Sequence, residues 1–176
     1  MSRKRLSEVE KPVKEKRKKD QRVADKKIDS LSLEQIEKLI SNSKTYIGSI
    51  YLESFKNLLI KAKTYSLIVN CNRHWFCIFS TPETFEIFDP LGFLQKSGCI
   101  DSSFMDFLKI QLGRKILYAN PKIQSDSSFA CGLFVAFFIL HRESGLTYNE
   151  ILSKFSKHYK KNEMLVRLFF DNKMWK

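Results

Sequence analysis

The chain has 176 residues, 43% of them hydrophobic and 13% aromatic with 15 Phe, which is enough apolar material for one domain with a real core and excludes full-length disorder. Lys and Arg number 31 against 19 Asp and Glu, a formal net charge of +12. The longest apolar run, residues 133–140, falls far short of the roughly 20 residues of a bilayer span, and the N-terminus lacks a signal-peptide core, so a membrane helix is not expected. Four cysteines without a secretion signal point to a reducing compartment and to thiols rather than disulfides.

Residues 1–27 hold 12 Lys/Arg against five acids, a net +7 that leaves +5 for the rest. No aromatic residue precedes Tyr46, and no periodicity gives this stretch a face to bury. It reads as a basic disordered arm, 1–27, ahead of a folded domain, 28–176. Its Lys/Arg clusters suit nuclear import or phosphate contact through counterion release, and a solvated tail accounts for them equally well.

The ordered region opens at residues 30–32. Ser32 and Gln35 fit a capping box, and Leu31 with Ile36 fits the hydrophobic staple around it. Leu33, Ile36, Leu39 and Ile40 give the apolar face of a short helix. A second helix is predicted over 51–62, with Leu52, Phe55, Leu58 and Leu59 inward. Strand-like runs follow at 66–70, 75–79 and 84–88, the last two forming a hairpin through a turn with Pro82. A helix capped by Asp101 or Ser102 runs to about Leu112, and 115–118 reads as a strand ended by Asn120-Pro121. Residues 131–141 are apolar nearly all round, which predicts a core helix stopped by Gly145. This order is that of an α+β fold: a central, mostly antiparallel sheet, a buried helix and further helices around it.

The hairpin brings chemistry together. With a four-residue loop at 80–83, Phe79 opposes Thr84 and the register sets His74 opposite Asp89. Opposed residues have Cβ atoms about 4.5–5.5 Å apart, within reach of a His–carboxylate bond. That face also carries Phe76, Ile78, Phe85 and Ile87, so the helix beginning at Cys131 is expected to cover it. A thiol at a helix N-terminus beside an imidazolium is held as the reactive thiolate. The carboxylate fixes the imidazole and supports its charge. Gly132 removes bulk beside the thiol, the Cys131 N–H faces a developing oxyanion, and Gln124 seven residues upstream supplies a side-chain donor.

Each of these residues alone also has a plain reading, as a buried thiol, a strand-end histidine, a turn acid or a loop glutamine. Other candidates are weaker. His141 lies about 15 Å along the helix from Cys131, too far to be its base, and His158 has no acidic neighbour in sequence. Cys71, His74 and Cys77 alternate faces along a strand, which argues against a metal site.

His74-Trp75, Phe88-Asp89-Pro90-Leu91-Gly92-Phe93, Gln124 and Cys131-Gly132-Leu133-Phe134, in that order, resemble the adenovirus-type (adenain-like) cysteine proteases. That family is grouped with the ubiquitin-like-protein proteases, and the resemblance covers residues 30–145. It implies the papain-like cysteine-protease type of fold, with His74 as general base, Asp89 as orienting acid, Gln124 in the oxyanion hole and Cys131 as nucleophile. It implies a monomeric viral endopeptidase that cuts virion precursor polypeptides near Gly-rich sites, in the host nucleus or viral factory and in the virion. By the same resemblance no cofactor is required, and DNA, held through the basic arm, is a candidate activator.

The seven-residue step from Gln124 to Cys131, with Ala130 before the cysteine, follows the viral pattern; deSUMOylating members have a six-residue step and Asp before Cys. Asp89 departs from the Glu usual in adenoviral members. No cysteine aligns with the one through which those enzymes bind an activating peptide; Cys99 is nearest in the chain. Two alternatives remain: an isopeptidase removing ubiquitin-like modifiers, and a non-catalytic DNA-binding structural protein.

Overall fold

A five-stranded sheet has hairpins at its centre and parallel crossovers at both edges. The computed structural model describes residues 30–57, 60, 62–71, 73–92, 113–118 and 121–174. The basic arm, the helix expected over 101–112 and Cys99 lie outside the described residues. In chain order the elements are α1 (Leu33–Leu39), β1 (Tyr46–Tyr51), a 3-10 helix (Leu52–Asn57), β2 (Tyr65–Cys71), β3 (His74–Ser80), β4 (Thr84–Phe88), β5 (Lys115–Leu117), α2 (Cys131–Glu143), α3 (Tyr148–Ser153) and α4 (Tyr159–Met174). Among the described residues no helix is long and apolar enough to cross a membrane.

The strands lie side by side in sequence order. β2–β3 and β3–β4 are antiparallel, whereas β1–β2 and β4–β5 are parallel. The fold is α+β as expected, but the sheet is mixed rather than mostly antiparallel. Each parallel pair is joined by a connection long enough for a crossover, residues 52–64 and 89–114. Within the helix expected over 51–62, Tyr51 ends β1 and Leu52–Asn57 form the 3-10 helix, while residues 58, 59 and 61 lie outside the described residues.

The central hairpin also differs in register. Thr81 N–H donates to the Thr84 carbonyl at 2.9 Å, leaving Pro82 and Glu83 as a two-residue loop. Thr81 Oγ1 accepts from the Glu83 and Thr84 amides and fixes that turn. Phe79 therefore pairs with Glu86, and Cys77 with Phe88 is the last β3–β4 pair. The shift is two residues, so every side chain keeps its expected face. The covering helix, however, lies on the other one. α2 packs with Cys77, Phe79 and Phe88, whereas Phe76, Ile78, Phe85 and Ile87 join Leu67 and Val69 in a second cluster. A sheet buried on both faces has no single apolar side, and this misled the pattern of alternation.

Residues 131–139 of α2 are all buried, as the continuous apolar run requires. Phe138 stacks on Phe88 with ring centroids 4.3 Å apart. The helix ends as Gly145 announces: Gly145 has φ +94, its N–H donates to Arg142 O, and the Leu146 N–H donates to His141 O. Polar ties fix the helix to the sheet. Arg142 Nε and Nη2 grip both oxygens of buried Glu86 on β4, at 2.7 and 3.0 Å. Glu143 Oε1 accepts from Ser43 Oγ, Thr45 N and Thr45 Oγ1, anchoring the chain that enters β1.

The capping box forms at α1, where Gln35 N–H donates to Ser32 Oγ and Ser32 N–H to Gln35 Oε1, and Leu31 packs against the apolar cluster that contains Ile36. This helix then packs on the start of α2 with little room to spare. A Cβ on Gly132 would lie 2.7 Å from Ile36 Cδ1 and Cγ1, and Ile36 is fully buried. Gly132→Ala is expected to cost about 1–3 kcal/mol through overpacking, read as a lowered Tm. An unchanged Tm would mean that Ile36 yields and the contact is not limiting.

Candidate active site

The site forms where β3 begins and β4 ends, past the last pair of their ladder. Asp89 leaves the sheet into a β-turn, with the Gly92 N–H donating to Asp89 O at 3.0 Å. Asp first, Pro90 second and Gly92 fourth are the residues that such a turn favours. Gly92 takes φ +58 with its backbone against Lys122, a conformation and a closeness that suit glycine. Asp89 Oδ1 accepts from the Leu91 N–H at 3.0 Å and from His74 Nε2 at 2.6 Å. Although the two are not directly opposed in the ladder, the turn delivers the carboxylate to the imidazole.

His74 is the first residue of β3 and follows Arg73, whose φ of 65 marks the tight turn out of β2. Burial alone would push the His74 imidazole down. Its bonds to Asp89 and Cys131, with the charges of both, outweigh burial and raise it to about 9. With Nε2 on Asp89, Nδ1 is the ring nitrogen left to serve Cys131. Cys131 opens α2 and is only 6% exposed. Ala130 at the N-cap makes no side-chain cap, so the first-turn amides of the helix and its positive dipole end are not masked by a capping oxygen. Imidazolium, carboxylate, thiol and helix N-terminus thus meet at one point.

Gln124 stands in the loop before α2 and is 1% exposed. Its Nε2 donates to Ser128 O at 2.8 Å, which fixes the amide orientation because the side-chain carbonyl cannot face another carbonyl. One Nε2 hydrogen remains for a ligand, and Oε1 is buried without a hydrogen-bond partner. The loop is stitched to the Asp89 turn, since Pro90 O accepts from both Ile123 N–H (3.0 Å) and Gln124 N–H (2.9 Å). Ser128 Oγ accepts from the Ala130 N–H at 3.2 Å and so shapes the step into the helix.

Two expectations change. Gly132 does not open an approach to the thiol, because the space beside it is filled by Ile36. Cys71 is disulfide-bonded rather than a thiol, whereas Cys77 and Cys131 are free; composition counts sulfurs but does not place them. Cys77 is fully buried, and burial, with Glu86 and Asp89 adding to it, pushes its thiol well above the usual range. His141 is a packing residue, its Nδ1 within 2.9 Å of Phe137 O and its ring against Phe137. Sequence reasoning passed over Phe129, which is 58% exposed two residues before Cys131. An apolar residue in a Ser-rich loop was the available signal. It also passed over Asn162, which reaches the Gln124 loop from α4.

No protein-family model and no curated protein matches the chain. Solved structures are similar to it. The central domain of the uncharacterised protein Lpg1148 from Legionella pneumophila aligns with a TM-score of 0.50 at 15% identity, over 83% of this chain and 96% of that one. At that identity the likeness concerns the fold alone. The SUMO protease Ulp1 with its catalytic cysteine oxidised to a sulfinic acid aligns with a TM-score of 0.43 at 13% identity, over 88% and 83% of the two chains. The C-terminal Ulp1 protease domain in complex with Smt3, the yeast orthologue of SUMO, aligns with a TM-score of 0.43 at 12% identity, over 88% and 93%.

Proposed function

We propose that the chain is a cysteine endopeptidase with Cys131 as nucleophile, His74 as base and acid, Asp89 as orienting carboxylate and Gln124 as oxyanion donor. The observation that carries this reading is the 2.6 Å bond from His74 Nε2 to Asp89 Oδ1, with Cys131 at a helix N-terminus acting on the same imidazole. With His74 protonated at neutral pH, Cys131 Sγ attacks the scissile carbonyl carbon, and the carbonyl electrons move onto oxygen. The Cys131 N–H and the second Nε2 hydrogen of Gln124 stabilise that oxyanion. Collapse breaks the C–N bond while His74 gives its proton to the leaving amine, and a thioester remains. His74 then takes a proton from water, the hydroxide displaces Cys131 Sγ, and the acid product leaves.

Virion precursor polypeptides, cut near Gly-rich sites, are the substrates in this reading. Its support is the viral pattern of the seven-residue Gln124-to-Cys131 step and Ala130 before the nucleophile. Activation by DNA through residues 1–27, and residence in the nucleus or viral factory and in the virion, belong to the same proposal. One observation favours a second reading, an isopeptidase acting on ubiquitin-like modifiers: the triad acid is Asp89 where adenoviral members have Glu.

A panel of Gly-Gly-containing peptides and ubiquitin-like fusions tests the choice. Cleavage of the peptides with kcat/KM at least equal to that of the fusions is expected. A preference for the fusions of about 100-fold, the mark of a folded-partner surface, would move the assignment to the isopeptidase.

A further inference from the structure

We infer that Asn162, on α4 and outside the triad, is a positioning residue that holds Gln124 in place to meet the oxyanion. This rests on the oxyanion role proposed above for Gln124. Asn162 is 1% exposed, and every hydrogen-bonding site of its amide is used. Nδ2 donates to Ser156 O at 2.8 Å and to Ile123 O at 2.9 Å. Oδ1 accepts from Ser156 N at 2.8 Å and Ser156 Oγ at 3.2 Å. The Ser156 bonds make the amide rigid with respect to the turn into α4, and the remaining donor is spent on the residue before Gln124.

That remaining bond completes a clamp. The Ile123 N–H is held by Pro90 O and its C=O by Asn162, so both faces of the residue are fixed. Gln124 follows directly, with its own N–H on Pro90 O and its side chain on Ser128 O. A loop carrying no regular structure between residues 121 and 130 is thereby pinned at the point from which the oxyanion donor projects. A donor displaced by a fraction of an ångström loses most of its effect on the transition state. Without Asn162 the Ile123 carbonyl is buried and unpaired, and the loop shifts to find another donor.

Asn162→Ala, Gln124→Ala and the double variant separate positioning from general structural support. Turnover of a peptide amide is compared with the alkylation rate of Cys131 by iodoacetamide, a displacement at a saturated carbon that forms no oxyanion. Asn162→Ala is expected to lower kcat about 10–100-fold with little change in KM, within the range for a displaced oxyanion donor. Alkylation should stay within about twofold of wild type. In the Gln124→Ala background the Asn162 substitution should add nothing, because both act through one group. Asn162→Asp, which keeps an acceptor for the Ser156 N–H and hydroxyl but has no donor for Ile123 O or Ser156 O, should reproduce the kcat loss. Turnover is normalised to alkylatable Cys131, so partial unfolding does not imitate the effect. Losses that multiply in the double variant, or alkylation falling in step with kcat, would overturn the positioning role alone. Undiminished turnover in Gln124→Ala would overturn it together with the oxyanion assignment.

Discussion

Cys131→Ala leaves no measurable cleavage of any peptide or fusion in the panel, a loss of at least about 10⁴-fold, while the fold persists. The substitution keeps Cβ and removes only Sγ. At a buried position this costs about 1 kcal/mol, small against the burial of the eight residues that follow in α2. Binding should survive as well, since the helix N-terminus and the Gln124 loop are held by backbone and amide bonds that do not involve the thiol. The variant is therefore a substrate trap with a near-native melting curve. Cleavage retained at the wild-type rate would place the nucleophile elsewhere. The other free thiol among the described residues, Cys77, is sealed in the core and has no route to a substrate.

Asp89→Asn is expected to lower turnover by about 10²–10⁴-fold and to move the alkaline limb of the rate profile toward neutral pH. The contacts of the carboxylate with His74 and with the Leu91 N–H are made by Oδ1, which asparagine retains. The change thus removes charge more than geometry. Asp89 raises the His74 imidazole, so its loss lowers the pH at which the ring gives up its proton from about 9. Above that pH no proton is available for the leaving amine.

Stability follows the same linkage. A histidine raised by folding stabilises the protein fully below its unfolded value of about 6.5 and loses that contribution as pH rises through about 9. The Tm difference between wild type and Asp89→Asn should accordingly be wide near pH 6 and close toward pH 9–10. A difference independent of pH would show that the imidazole charge is not coupled to folding.

The parts of this molecule that were legible in sequence are those written in local chemistry. Ser32-x-x-Gln35 and the Gly145 stop form as their hydrogen-bonding groups require. The apolar run behind Cys131 becomes a buried helix because no polar face exists to expose. Thr147 and Glu150 carried the same capping signal for α3, which sequence reasoning left unused. What depended on tertiary pairing was harder. Tyr46–Tyr51 is a strand because β2 offers it a parallel edge, and nothing within the segment states the direction of pairing. The hairpin register turned on whether Thr81 closes the loop through its hydroxyl, a two-residue difference invisible to alternation.

His74 and Asp89 meet despite the shifted register, because the Asp-Pro-Leu-Gly turn carries the acid past the end of the ladder. The residues that support the site were the least legible. Asn162 lies 38 residues from Gln124 in the chain, in a basic stretch whose pattern speaks only of solvent. Its role exists only once α4 is folded against the loop.

The proposed mechanism requires activation of Cys131 by His74. Its most direct test is the rate of iodoacetamide alkylation at about pH 5.5, with the modified residue mapped by mass spectrometry. Cys131 should react at least about 100-fold faster than Cys77 and lose that advantage in His74→Ala. Equal rates for the two thiols, or an advantage that survives removal of the imidazole, would contradict the account.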